Sequence, residues 1–168
     1  MNALARRAFL AIVLAVALHP HPAHARRRVR IGGSGLTGRK TYAGPNVLRP
    51  EQLRGCLQSE REINRLGEAL DFEEENIQAA STRLNEMQRG LDERQRRVDV
   101  YNKQSVDAFN REVDRHRRAV SEYNSKLPDF NSRVQAFNAR IGEFNSSCAG
   151  KSYYEDDMKV ARAALGLD

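Results

Sequence analysis

Residues 106–148 read VDAFNREVDRHRRAVSEYNSKLPDFNSRVQAFNARIGEFNSSC, and the fold follows from the spacing in this stretch. Val106, Val113, Val120, Leu127, Val134, Ile141 and Cys148 recur every seven residues. Three residues after each of the first six stand Phe109, His116, Tyr123, Phe130, Phe137 and Phe144. These are the a and d positions of a coiled coil, with aliphatics at a and aromatics at d. Pro128 falls inside the run without shifting its phase, so a kink is expected there and not a break.

The upstream half carries the same period. Cys56, Ile63, Leu70, Ile77, Leu84, Leu91 and Val98 occupy a; Ser59, Leu66, Glu73, Ala80, Met87, Arg94 and Tyr101 occupy d. This d row is small or polar where the other is aromatic, so the bulky residues of one helix are expected to fill space left by the other. Glu73 at d reads as a register or kink feature, because an unpaired buried carboxylate is costly. Pro50 suits a first helical turn, with Glu51 favoured at the positive end of the helix dipole.

Val98 and Val106 are eight residues apart, so a single continuous rod would lose its stripe between them. Asn102-Lys103-Gln104-Ser105 can stop one helix at Asn102 and cap the next at Ser105. The midpoint of Cys56 and Cys148 is also position 102. The first arm is then expected to reach about Tyr101, roughly 75–80 Å at 1.5 Å per residue. A register centred on 102 sets a against a. An apex near 103–104 would give the usual a–d layers, and both registers keep the cysteines close.

Two cysteines in an exported chain normally pair. Redox catalysis would call for a C-x-x-C spacing or an activated thiol, and Cys56 and Cys148 have neither. Their expected role is a structural disulfide.

Asn110, Asn124, Asn131, Asn138 and Asn145 each follow a d aromatic. This flank is expected to hydrogen-bond Glu60, Gly67, Glu74, Ser81, Gln88 and Gln95 of the first helix; a face for an outside partner is the alternative. After Cys148, Gly150 is a helix stop. Ser152-Tyr153-Tyr154-Glu155 fits a capping box that opens a short helix using Met158, Ala161 and Leu165.

The N-terminus has the three parts of an export signal. Arg6 and Arg7 precede an apolar run from Ala8 to Leu18, and Ala23-His24-Ala25 is an A-x-A cleavage site. The run is about half of the roughly 20 residues a membrane span needs. Cleavage near Ala25 would remove His19, His21 and His24, leaving His116, a tolerated core residue at d.

Charge is unevenly placed along the 168 residues. Two of the 28 basic residues precede position 26, and seven lie at 26–49 with no acid among them. Nineteen remain against all 22 acids, so residues 51–168 carry a net −3. Residues 26–48 are Arg-rich and then Gly-rich, without sustained periodicity, and are expected to be flexible. Arg26, Arg27, Arg28, Arg30, Arg39 and Lys40 could contact an anionic surface such as lipid or lipopolysaccharide phosphates. A soluble spacer is the other reading. Nucleic acid is not an expected partner outside the cytoplasm.

The expected architecture is all-α: a long antiparallel coiled-coil hairpin with a short C-terminal helix and a flexible basic N-terminal arm. Its divisions are an export signal at 1–25, the arm at 26–48, the hairpin at 49–150 with its turn near 102–105, and the terminal helix at 151–168. No catalytic, cofactor or metal constellation is apparent, so the chain is expected to be a non-enzymatic interaction module in the periplasm or secreted space. A holdase-type chaperone or envelope-binding role for the arm is the alternative. Expected partners are an envelope protein and, because a two-helix core is thin, a second copy.

Pro50-Glu51-Gln52-Leu53, the early cysteine, the Phe/Tyr-Asn heptads, and Asn145-Ser146-Ser147-Cys148-Ala149-Gly150 followed by Tyr153-Tyr154 resemble a group of exported bacterial helical-hairpin proteins. The resemblance covers about residues 48–160 and implies a fold and export, not an activity. Size, export signal and basic charge also resemble the periplasmic chaperone family Skp. That family joins helical arms to β-strands for trimerisation, and no strand pattern is apparent in this sequence.

Overall fold

The computed structural model describes residues 28–167. The export signal expected over 1–25, Arg26 and Arg27 lie outside the described residues. The order of elements is β1 (Gly35–Leu36), α1 (Pro50–Gln95), α2 (Lys103–Ser147), β2 (Tyr153–Tyr154) and α3 (Glu155–Ala164). The helices α1 and α2 pack against each other along the shaft, and α3 packs against α1.

Helix α1 starts where Pro50 needs no amide partner, and the Gln52 side chain accepts from the Arg49 amide at 3.0 Å. It ends at Gln95, earlier than the expected Tyr101, and is about 69 Å long at 1.5 Å per residue. Asn102 does not stop the first helix; it caps the second. Its backbone is extended, and its Oδ1 accepts from the amides of Gln104 (2.9 Å) and Ser105 (3.2 Å). Ser105, the expected cap, accepts from the Asp99 amide at 3.2 Å and so closes the loop. Asparagine wins because its carbonyl reaches two orphan amides at once. Helix α2 continues unbroken through Pro128.

Two contacts fix the register. Cys56 and Cys148 have Cα atoms 5.6 Å apart, and a Cβ on Gly67 would stand 3.2 Å from the Phe137 ring. Each pair is equidistant from Asn102. The register centred on 102 therefore holds, with a against a: Ile63 faces Ile141 and Leu70 faces Val134, all buried.

The same register corrects the expected seam of α1. Its d row only flanks the core: Leu66 and Ala80 are half-buried and pack against it, whereas Ser59, Met87 and Arg94 are exposed and Tyr101 is 93% exposed. The residues opposite the buried aromatics Phe144, Phe137, Phe130, Tyr123 and the buried His116 are Glu60, Gly67, Glu74, Ser81 and Gln88, all half-buried. Aromatic rings need room beside the facing backbone, and this row of glycine, serine and flexible polar stems provides it. The asparagine flank consequently has no counterpart. All five asparagines are exposed, and among the described residues none makes a hydrogen bond across the seam. Cross-seam polar links sit on the other flank of α2, where Glu112 pairs with Arg94, Arg140 with Glu62, and Arg133 with Glu73 at 2.6 Å. Glu73 is thus half-buried and paired across the seam.

The largest departure is at the base. Residues 28–48 are not a free arm: Val29, Ile31 and Leu48 are buried in the same core as Leu53, Leu57 and Ala161. Asn64 grips Val29 from both sides, accepting from its amide (2.9 Å) and donating to its carbonyl (3.2 Å). Glu60 accepts from the Ile31 amide at 3.2 Å. Strand β1 runs parallel to β2, pairing Gly35 with Tyr153 and Leu36 with Tyr154, and Val47 bridges Ser152 on the other side. Apolar burial and backbone pairing together outweigh the entropy favoured by the glycines.

Candidate functional site

Chemistry concentrates at the two ends of the shaft. At the base, Gly150 takes φ +71° after α2 and turns the chain into a clasp. The Gly150 amide donates to Ile31 (2.7 Å) and the Tyr153 amide to Ser34 (3.1 Å). On the opposite edge the Ser152 amide donates to Asn46, and the Leu48 amide to Ser152, both at 2.8 Å. The segment around Ser152 is thereby gripped on both edges by the N-terminal strand pieces. Ser152 is used in this pairing, so the expected capping box does not form; α3 begins directly after β2 with Tyr154 at its N-cap. Met158, Ala161 and Leu165 do pack against the core.

The Cys56–Cys148 disulfide forms beside this clasp. Covalent and polar fastening therefore occupy the same end.

Sequence reasoning missed the polar centre of the base. Asp157 is only 7% exposed and receives Lys40 Nζ at 2.6 Å and the Tyr42 hydroxyl at 2.6 Å. Burial pushes its carboxyl up, but the hydrogen bonds from Lys40 and Tyr42 together outweigh this and hold it below the usual carboxylate value. The hydrogen bond to Asp157 raises the Lys40 ammonium, and the same contact followed by burial raises the Tyr42 hydroxyl. Tyr154 meets the Tyr42 ring edge-on at 5.4 Å. Its hydroxyl accepts from the Thr41 amide at 2.6 Å, and hydrogen bonding by Thr41 lowers it. Three neighbouring acids, Glu155-Asp156-Asp157, hid the one that is buried. Their position in the first turn of an amphipathic helix was the available signal.

This arrangement gives a pH expectation with a definite sign. The Asp157 carboxyl is lowered on folding, so its contribution is full above the unfolded value of about 3.9 and is lost as pH falls through the folded value. Lys40 and Tyr42 are raised, so theirs is full below about 10 and fades as pH rises. Asp157→Ala should cost about 2 kcal/mol at neutral pH by urea unfolding, and the difference from the parent should shrink at pH 3. A penalty unchanged at pH 3 contradicts the assignment.

The six basic residues expected to face an anionic surface do not act as a set. Arg28 pairs with Glu68 at 3.3 Å, and Lys40 is committed to Asp157. Arg30 and Arg39 are exposed and form no ion pair among the described residues.

At the far end, Val100 and Tyr101 stand 54% and 93% exposed in the loop between the long helices. Inside the shaft, His116 is buried in the aromatic row and its Nε2 has no hydrogen-bond partner among the described residues. Every other residue of that row is Phe or Tyr. His116→Phe should therefore raise stability by about 1 kcal/mol, read as a higher urea midpoint, because an unsatisfied buried polar atom is removed. A lowered midpoint would show that the nitrogen is satisfied.

No family model, curated protein or solved structure matches this chain.

Proposed function

We propose that the protein is a non-enzymatic rod acting in the periplasm or secreted space, which holds a protein-docking tip away from a fastened base. The observation that carries this reading is the division of labour along the hairpin. The disulfide, the strand clasp and the Asp157 centre all secure one end, while Val100 and Tyr101 are left uncovered about 69 Å away. Tyrosine is among the residues enriched at the anchors of protein contacts. A paired Cys56 and Cys148 suit an oxidising compartment, as does the signal-like N-terminus.

The test is site-specific photocrosslinking in envelope extract, with the reactive group at Tyr101 or, as a control, at Glu155 of the base. A discrete partner adduct at Tyr101, lost on Val100→Ser, is the expected result. Adducts at the base with none at the tip would overturn the reading.

The exposure of Arg30 and Arg39 keeps an anionic-surface role as a second reading. Deleting residues 26–48 cannot separate the two, because Val29, Ile31 and Leu48 belong to the core. Replacing Arg30 and Arg39 by serine can: loss of binding to anionic vesicles would favour the second.

A further inference from the structure

The base end of α1 carries a row of arginines that the hairpin leaves unengaged. Arg54, Arg61 and Arg65 are exposed and form no ion pair among the described residues. Spacings of seven and four residues put them on one side of the helix, in a row about 16 Å long at 1.5 Å per residue. That side faces away from α2, because the seam uses the rows of Ile63 and Glu60. The nearby carboxylates are taken. Glu60 accepts from the Ile31 amide at 3.2 Å, and Glu62 pairs with Arg140 across the seam. Glu51 is the only other acid over residues 50–67.

The N-terminal strand piece adds a fourth cation beside this row. Val29 and Ile31 are buried, and Asn64 and Glu60 hold their amides against α1. Arg30 alternates with them, so it is turned outward along the same stretch of helix, exposed and without an ion pair among the described residues.

We propose that this row seats the base on an anionic lipid surface, with the guanidinium groups on headgroup phosphates. Such a seat deepens the anionic-surface reading, on which it rests, by placing the contact on α1 and not on Arg30 and Arg39 alone. The shape of the row selects the ligand. Side chains that hold one small anion converge on a point. These stand in line on a convex helix face, which suits phosphates spread over a plane. Every member is arginine, whose planar fork binds phosphate through two donors and keeps its charge at any physiological pH. After Arg65 the next basic residue of α1 is Arg83, so the patch belongs to the base.

Co-sedimentation of the full disulfide-bonded chain with vesicles tests the seat. The probes are vesicles of equal parts phosphatidylcholine and phosphatidylglycerol, compared with phosphatidylcholine alone. Binding to the mixed vesicles only is expected, and it should weaken as salt rises. Arg54→Gln, Arg61→Gln and Arg65→Gln together should lower it roughly a hundredfold, at about fivefold for each arginine near a charged bilayer. Glutamine preserves helix propensity, and all three side chains lie outside the core, so the urea midpoint should not move. Arg118→Gln removes the same charge from an exposed position of α2 and should leave binding unchanged. Binding that survives the triple change, or that falls as far with Arg118→Gln as with Arg61→Gln, overturns the proposal. A loss produced only by Arg30→Ser with Arg39→Ser overturns the α1 row and leaves the anionic-surface reading standing. Failure of the parent chain to bind the mixed vesicles removes both. Tighter binding to a DNA duplex than to the vesicles would assign the row to nucleic acid and overturn the lipid seat.

Discussion

Replacing Cys56 and Cys148 together by alanine will lower stability by about 4–5 kcal/mol in the chain-entropy description of a closure this long. The bridge joins residues separated by 92 positions, so in the unfolded chain it removes freedom from most of the described residues. In the folded chain it binds the start of α1 to the end of α2, where both sulfurs lie in the core beside Leu53 and Leu57. A loss of that size is a large share of the total expected for one small domain, about 5–15 kcal/mol. Urea unfolding of oxidised and reduced protein gives the comparison directly. The oxidised form should unfold at clearly higher urea; coincident midpoints would mean that the strand clasp alone closes the base.

Gly33→Ala will be nearly as damaging, at about 3 kcal/mol, for an unrelated reason. A Cβ at this position would stand 1.6 Å from the Lys151 carbonyl oxygen and 2.4 Å from its carbon. Both obstructing atoms are backbone, so no rotamer change relieves the clash. The N-terminal strand piece would have to withdraw from the segment it grips. That withdrawal would break the neighbouring bonds from Gly150 to Ile31 and from Tyr153 to Ser34. Gly55→Ala is the control: it lies inside α1 with open space around it and should be neutral or stabilising by about 0.5–1 kcal/mol. Thermal melts of the two variants should separate widely. Equal melting temperatures would show that the clasp contributes little.

The hairpin is legible in the sequence because heptad spacing is a long, redundant signal. Six successive aromatic or histidine positions in α2 all turn inward, and no single substitution could hide them. The midpoint of the cysteines locates the register, because antiparallel helices of equal rise keep partners equidistant from it; the loop itself lies at 96–102, ahead of the expected 102–105. The α1 seam is harder to read. The period of seven is shared by its d row and by the row from Glu60 to Gln88, and the choice between them depends on the width of the opposing aromatics.

The base is nearly invisible for a different reason. Its strands are two residues long, and its essential feature at Gly33 is the absence of an atom. Composition read the glycines as freedom, whereas one of them is a requirement for contact. Val29 and Ile31 alternate with charged or small neighbours, as a half-buried strand does, and that was the faint signal present. Asp157 carried none beyond its place on α3, since its partners Lys40 and Tyr42 are more than a hundred residues away.

Peptide mapping by mass spectrometry under non-reducing conditions tests the clamped hairpin most directly. Tryptic cleavage should release residues 55–61 and 141–151 as one cross-linked species that separates into two on reduction. Recovery of Cys56 and Cys148 as free thiols, or of either cysteine linked to its own copy, would contradict the hairpin as described.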